Sequence, residues 1–150
     1  MIIRIADDAD LPEILGLYAQ SGIDDHQALE IQEAQAIFDT MKRYPDYHVY
    51  VAEADGRLVG TFALAIMDNL AHRGSKSGLI EDVAVAESLQ GHGIGRQMMR
   101  FAIETCREKS CYKVCLSSNL KRQNAHKFYE GIGFKMHGYS FLMELKEHFA

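Results

Sequence analysis

Residues 79–99, LIEDVAVAESLQGHGIGRQMM, restrict the fold more than any other stretch of this chain. Residues 79–85 are apolar at nearly every position apart from Glu81 and Asp82, as expected of a central strand covered on both faces. A short polar link follows. Gly91, Gly93 and Gly95 then alternate just where a helical pattern begins, with Met98, Phe101, Ala102 and Cys106 on one side and Arg96, Arg100, Glu104 and Lys109 elsewhere. The next strand-like run, YKVCLSS, makes residues 79–117 a strand–helix–strand crossover, which should be parallel and right-handed.

Glycine at a strand-to-helix turn tolerates positive φ and lets another group approach the backbone. Successive backbone N–H groups in such a loop converge on an anion, and the helix start adds free donors and its positive dipole end. The stretch therefore reads as a phosphate site, which also gives a reason for Arg96 in the first helical turn. The spacing fits neither the P-loop pattern nor the dinucleotide fingerprint, whose third glycine falls three positions after the second.

The rest of the chain supplies an α/β framework. MIIRIA reads as a strand. DADLPEILGLYAQSG reads as a helix with an Asp cap, Pro12 near its start, apolar Leu11, Ile14, Leu15 and Tyr18, and Gly22 past its end. LEIQEAQAIFDTMKRYP is a second helix, ended by Pro45. YHVYVAEADGRLVGTFALAIM is a hairpin turned at Asp55-Gly56. QNAHKFYEGIG is a short helix, and KMHGYSFLMEL closes the chain as one or two strands. The order is β-α-α-β-β-β-α-β-α-β(-β), a mixed sheet with helices, in one domain spanning 1–150.

A net charge of −5 without a basic run argues against nucleic acid as a partner. No apolar run reaches membrane-spanning length, and the N-terminus lacks the pattern of a signal peptide. Cys106, Cys111 and Cys115 form no C-x-x-C pair and read as small buried thiols, reduced in the cytoplasm. His72, His92 and His126 have no metal-ligand spacing, so no metal site is expected.

QGHGIG (90–95) matches the Q/R-x-x-G-x-G/A signature of the GNAT superfamily of acyl-CoA-dependent N-acetyltransferases, and FYEGIGF (128–134) resembles that family's F/L-Y-E-x-x-G-F segment at the expected distance. Within the superfamily, IEDVAVAESLQGHGIGR with CYKVCLSSN is similar to glucosamine-6-phosphate N-acetyltransferases, and LSSNLKRQNAHKFYEGIGF to aminoalkylphosphonate N-acetyltransferases. The resemblance implies the GNAT fold, also classed as α+β, with a mixed central sheet of six to seven strands and about four helices. It implies acetyl-CoA as co-substrate and a small-molecule amine, or a peptide, as acceptor, in a cytoplasmic protein away from membranes, with a homodimer as one assembly open to it.

The resemblance also assigns residues. Backbone groups of Val83, Ala84 and Val85 would pair with the pantetheine amides as an added strand does. Gln90, Gly91, His92, Gly93, Ile94, Gly95 and Arg96 would hold the pyrophosphate, with Asn119 and Arg122 as further cofactor contacts. Arg122 stands where many members carry the Asn of an N-x-x-A segment. Tyr129 matches the tyrosine whose hydroxyl meets the thioester sulfur, a general acid. Amine acylation also needs a base to take the ammonium proton. Glu81 and Asp82 adjoin on the central strand, where regular alternation sends them to opposite faces. Glu81 is the favoured base, with Asp82 or ordered water as alternatives. Asp24, Asp25 and Glu81 suit a cationic acceptor, whereas Arg73 and Lys76 suit a phosphate or phosphonate. A non-catalytic acyl-CoA sensor would keep the glycine loop but has no use for Tyr129.

Overall fold

The computed structural model describes residues 1–145. Its first unit, Met1–Leu116, runs β1 (Ile2–Ile5), α1 (Leu11–Ser21), α2 (Ile31–Met41), β2 (Tyr47–Ala54), β3 (Arg57–Met67), β4 (Lys76–Val85), α3 (Ile94–Glu108) and β5 (Cys111–Leu116). The second begins at Ser117 and contains α4 (Gln123–Glu130). The five strands lie in the order β1-β2-β3-β4-β5. All neighbours are antiparallel except β4 and β5, which the α3 crossover makes parallel.

Local chemistry sets the boundaries. Asp55 and Gly56 both take positive φ, 52° and 72°. This is the mirror-image turn geometry that suits the twist of a hairpin. Before α1, Asp7 accepts the Ala9 N–H at 2.9 Å and Asp10 accepts the Asp7 N–H at 2.8 Å, a reciprocal cap. Arg4 anchors that cap through bonds of 2.7 and 2.9 Å to the two Asp10 oxygens, which holds the Asp10 carboxyl below its ordinary pKa. Gly22, at φ 74°, closes α1 as expected. The helix buries Leu11, Ile14 and Leu17, with Leu15 only half-buried.

Each face of the sheet is covered within this unit. Leu11, Ile14 and Leu17 of α1 and Phe38 of α2 pack with Val49, Val51, Leu58 and Ala84. On the other face, Tyr50 stacks on Phe62 at 5.1 Å and meets Phe101 of α3 edge-on at 5.4 Å. Met98, Met99 and Ala102 of α3 are fully buried. Burying one such large side chain is worth roughly 1.5–3 kcal/mol.

Among the described residues the sheet has five strands rather than six to seven. Residues 135–145, expected as one or two strands, pair with no strand among the described residues. Met136, Tyr139, Phe141, Leu142, Met143 and Leu145 are exposed there. An apolar pattern marks a segment able to form a strand, but a strand exists only with a hydrogen-bonded neighbour.

Candidate functional site

β4 changes character along its length. Its parallel ladder with β5 runs from Lys76↔Cys111 to Ile80↔Leu116 and stops. From Glu81 to Val85 only β3 remains as a ladder neighbour among the described residues, through Ala63↔Glu81, Thr61↔Ala84 and Gly60↔Val85. One edge of this segment is therefore left for a strand-like ligand whose amides could pair with main-chain groups. Val83, Ala84 and Val85 all lie on it.

The same segment contains a β-bulge. Two steps on β3, from Ala63 to Thr61, face three on β4, from Glu81 to Ala84, and Asp82 absorbs the extra residue at φ 52°. Glu81 and Ala84 consequently share one face, and Ala84 belongs to the core beneath α1 and α2. Both Glu81 and Asp82 act on the Tyr47 hydroxyl, and Asp82 acts on that of Tyr18 in α1. The expectation of opposite faces is thus corrected. An inserted residue breaks the two-residue period and turns both carboxylates toward α1.

Both side chains reach solvent, so neither is the buried carboxylate that a central position suggested. Water is still partly withdrawn from their carboxyl groups, which raises both pKa values. Asp82 raises Glu81 further, and Asp24 raises Asp82. Around them, burial first and then Asp82 raise the Tyr18 and Tyr47 hydroxyls. Thr61 partly opposes the rise at Tyr18, and its Oγ1 donates to the Tyr50 carbonyl at 2.8 Å. Tyr47 lines an open depression of about 370 Å³ shared with Tyr44, Ala65 and Met67. Such a cluster of carboxylates and phenols can receive a cation and take up a proton. Tyr18 and Tyr47 were missed as site residues because in sequence they belong to a helix stripe and a strand.

After β4 the glycine loop has the predicted form. Gly91 and Gly93 adopt φ of 80° and 83°. A Cβ at either position would meet nothing within 4 Å. Gly93 is the N-cap of α3, with no side chain capping the helix, and Ile94, Gly95 and Arg96 form its first turn. The surface over the loop is therefore backbone that a pyrophosphate can approach closely. Gln90 donates to the Val85 carbonyl at 3.4 Å, and the His92 ring is 3.1 Å from the Gln90 carbonyl.

Tyr129, Asn119 and Arg122 belong to the second unit. Tyr129 lies in α4 between Phe128 and Phe134, with ring centroids 5.1 and 5.9 Å away. Burial raises its hydroxyl pKa and Arg122 opposes the rise, so the phenol stays protonated at neutral pH. Asn119 caps the turn before α4, its Oδ1 accepting the Lys121 N–H at 2.9 Å. Its carbonyl lies 2.9 Å from the His126 ring and also accepts the Arg122 N–H. His72 stacks on Tyr112 at 4.3 Å. Among the described residues no three His, Cys, Asp or Glu side chains gather as metal ligands, and no helix is long and apolar enough to cross a membrane.

The model of the acetyltransferase (GNAT) family matches residues 11–134. Over 89 residues the chain is 38% identical to a glucosamine 6-phosphate N-acetyltransferase of Trypanosoma brucei brucei, a match covering 59% of this chain and 58% of the relative's length. It is 31% identical to an aminoalkylphosphonate N-acetyltransferase of Salmonella typhimurium, across 81% of this chain and 75% of the other. The crystal structure of a Trypanosoma brucei acetyltransferase superposes with a TM-score of 0.81 at 31% identity, covering 96% of this chain and 99% of that one.

Proposed function

Because the chain belongs to the GNAT acetyltransferase family, we propose that it moves an acetyl group from acetyl-CoA to a primary amine of a small molecule, by direct attack with both substrates bound. The observation that carries this reading is the coincidence on one strand of a lost β5 neighbour, a bulged carboxylate pair and an open glycine loop. Acetyl-CoA, when bound, supplies an acetyl group already activated as a thioester. Val83, Ala84 and Val85 align its amide-bearing arm, and the main chain from Gln90 to Arg96 holds its pyrophosphate, with Asn119 and Arg122 as further contacts.

Glu81 and Asp82 draw in the acceptor's ammonium. The raised pKa of each carboxyl brings it closer to that of the amine and so makes proton uptake easier. Glu81 takes the proton directly or through a water molecule, and Asp82 shares the same face. Tyr129 holds at its hydroxyl the proton that the departing thiolate needs. Small amines bearing a phosphate or phosphonate head the candidate acceptors, because two of the relatives are named for such substrates.

The test is a panel of amino sugar phosphates, aminoalkylphosphonates, polyamines and peptide N-termini, with free thiol release followed in the presence of acetyl-CoA. Amine-dependent thiol release with an acetylated product is expected. Acetyl-CoA binding without turnover on any amine would favour the sensor reading.

A further inference from the structure

Three free cysteines surround the first half of β4, and none is among the residues proposed for acyl transfer. Cys106, on the last turn of α3, is buried, and its Sγ sits where a Cβ on Gly78 would be only 2.5 Å away. Val114 of β5 faces the same side of Gly78, at 3.4 Å. Strict alternation back from Val114 would turn Cys111 to the opposite face. The ladder slips, however. Lys76 pairs with Cys111 and Ser77 with Lys113, so Tyr112 is an extra residue. Cys111 thereby comes onto the α3 face beside Cys106. Ser110, at φ 59°, turns the chain between them. Burial first, and then the neighbouring Cys111 thiol, push the Cys106 pKa up to about 12. Cys111 remains partly exposed.

We propose that Cys106 and Cys111 are an oxidation site, which a peroxide-class oxidant converts to an intrachain disulfide joining the end of α3 to the start of β5. The Cys111 thiolate attacks one peroxide oxygen, breaking the O–O bond and releasing hydroxide, which a proton converts to water. This leaves a sulfenic acid. The Cys106 sulfur then displaces the sulfenic oxygen, which leaves as a second water with the thiol proton. Two thiols have then given two electrons and two hydrogens to one peroxide. Cys115 is excluded from pairing with Cys111. It is four residues further along β5, roughly 13 Å at strand rise. A disulfide spans at most about 6.8 Å between Cα atoms.

The test is treatment of the folded full chain with hydrogen peroxide, followed by intact mass, thiol titration after denaturation, and peptide mapping without reduction. The chain should lose about 2 Da and keep one of its three thiols. Trypsin cuts after Arg107 and Lys109, so the peptide 101–107 should be linked to 110–113, and a dithiol should release them. Cys115→Ser should show the same 2 Da loss and linked peptides but keep no thiol, and Cys111→Ser should show no 2 Da loss and no linked peptides. Three surviving thiols, oxygen additions alone, a bridge to Cys115 or a bridge between two chains would each overturn the proposal.

Discussion

Gly60 and Gly78, beneath α3, and Gly91 and Gly93, ahead of it, differ in what surrounds the missing side chain. A Cβ on Gly60 would be 2.5 Å from the Met98 Sδ, and one on Gly78 would be 2.5 Å from the Cys106 Sγ. Neither Gly91 nor Gly93 has a neighbour there, and both hold positive φ. The first pair lets a helix approach the sheet. The second keeps backbone accessible. The crossover thus has a packed half, fixed by volume, and an open half, whose backbone is left uncovered. A substitution in the packed half should cost stability, and one in the open half should cost function.

The largest effect belongs to the open half. Glu81→Gln should lower kcat/KM near neutral pH by up to about 10²–10⁴-fold, the usual range for general acid–base catalysis. The loss should shrink as pH nears the acceptor's own pKa, where the free amine needs no base. Since the bulge puts both carboxylates on one face, Asp82→Asn should also lower kcat/KM, and the double variant should lose less than the sum of the two in free energy. Pre-steady-state rates across pH are the measurement. Independent, additive losses would separate the two residues and break the comparison at its chemical end.

A smaller effect, of a different kind, is expected from Gly78→Ala. The added methyl must displace the Cys106 sulfur or the Val114 side chain in a closed space, an overpacking that typically costs ~1–3 kcal/mol. Thermal unfolding should show a lower Tm, by about 2–4 °C for each kcal/mol in a chain of this size. Acetyl-CoA affinity below the melting range should not change. A wild-type Tm would mean that the packed half is looser than its distances indicate.

The smallest effect concerns pH and stability. Asp82 has a folded pKa raised above its ordinary value, so its ionised form opposes folding at pH above that folded pKa. This opposition fades as pH falls through the folded value. Asp82→Asn should therefore raise stability slightly at neutral pH, by no more than about 0.5 kcal/mol for a solvent-accessible group, and the gain should vanish on acidification. Asn also tolerates the left-handed backbone that Asp82 adopts. Asp10 titrates in the opposite sense. Its bond to Arg4 lowers its pKa, so its contribution is complete above the ordinary carboxylate value and is lost as pH falls through the lower folded one.

Features encoded by neighbouring residues were legible in the sequence. The Asp55-Gly56 turn, the Gly22 cap, the buried stripe of α3 and the glycine loop each follow from a short pattern, and each has the expected geometry. The two bulges, at Asp82 and Tyr112, were not legible, because a bulge is a mismatch of residue number between strands far apart in sequence. That mismatch decides which face Glu81, Asp82 and Cys111 occupy. Tyr18 and Tyr47 were overlooked for the same reason, since only the folded sheet brings them beside the carboxylates. Residues 135–145 show the converse, a strand-like pattern without a partner among the described residues.

The central claim is that the open glycine loop holds the pyrophosphate of acetyl-CoA. Calorimetric titration of acetyl-CoA into the wild type, Gly93→Val and Gly78→Ala tests it most directly, with thermal unfolding run on each. Gly93→Val, which places a branched side chain over the loop, should bind at least about tenfold more weakly, or ~1.4 kcal/mol, while still folded at the assay temperature. Gly78→Ala should bind as the wild type does. Wild-type affinity in folded Gly93→Val would contradict the account and move the phosphate site elsewhere.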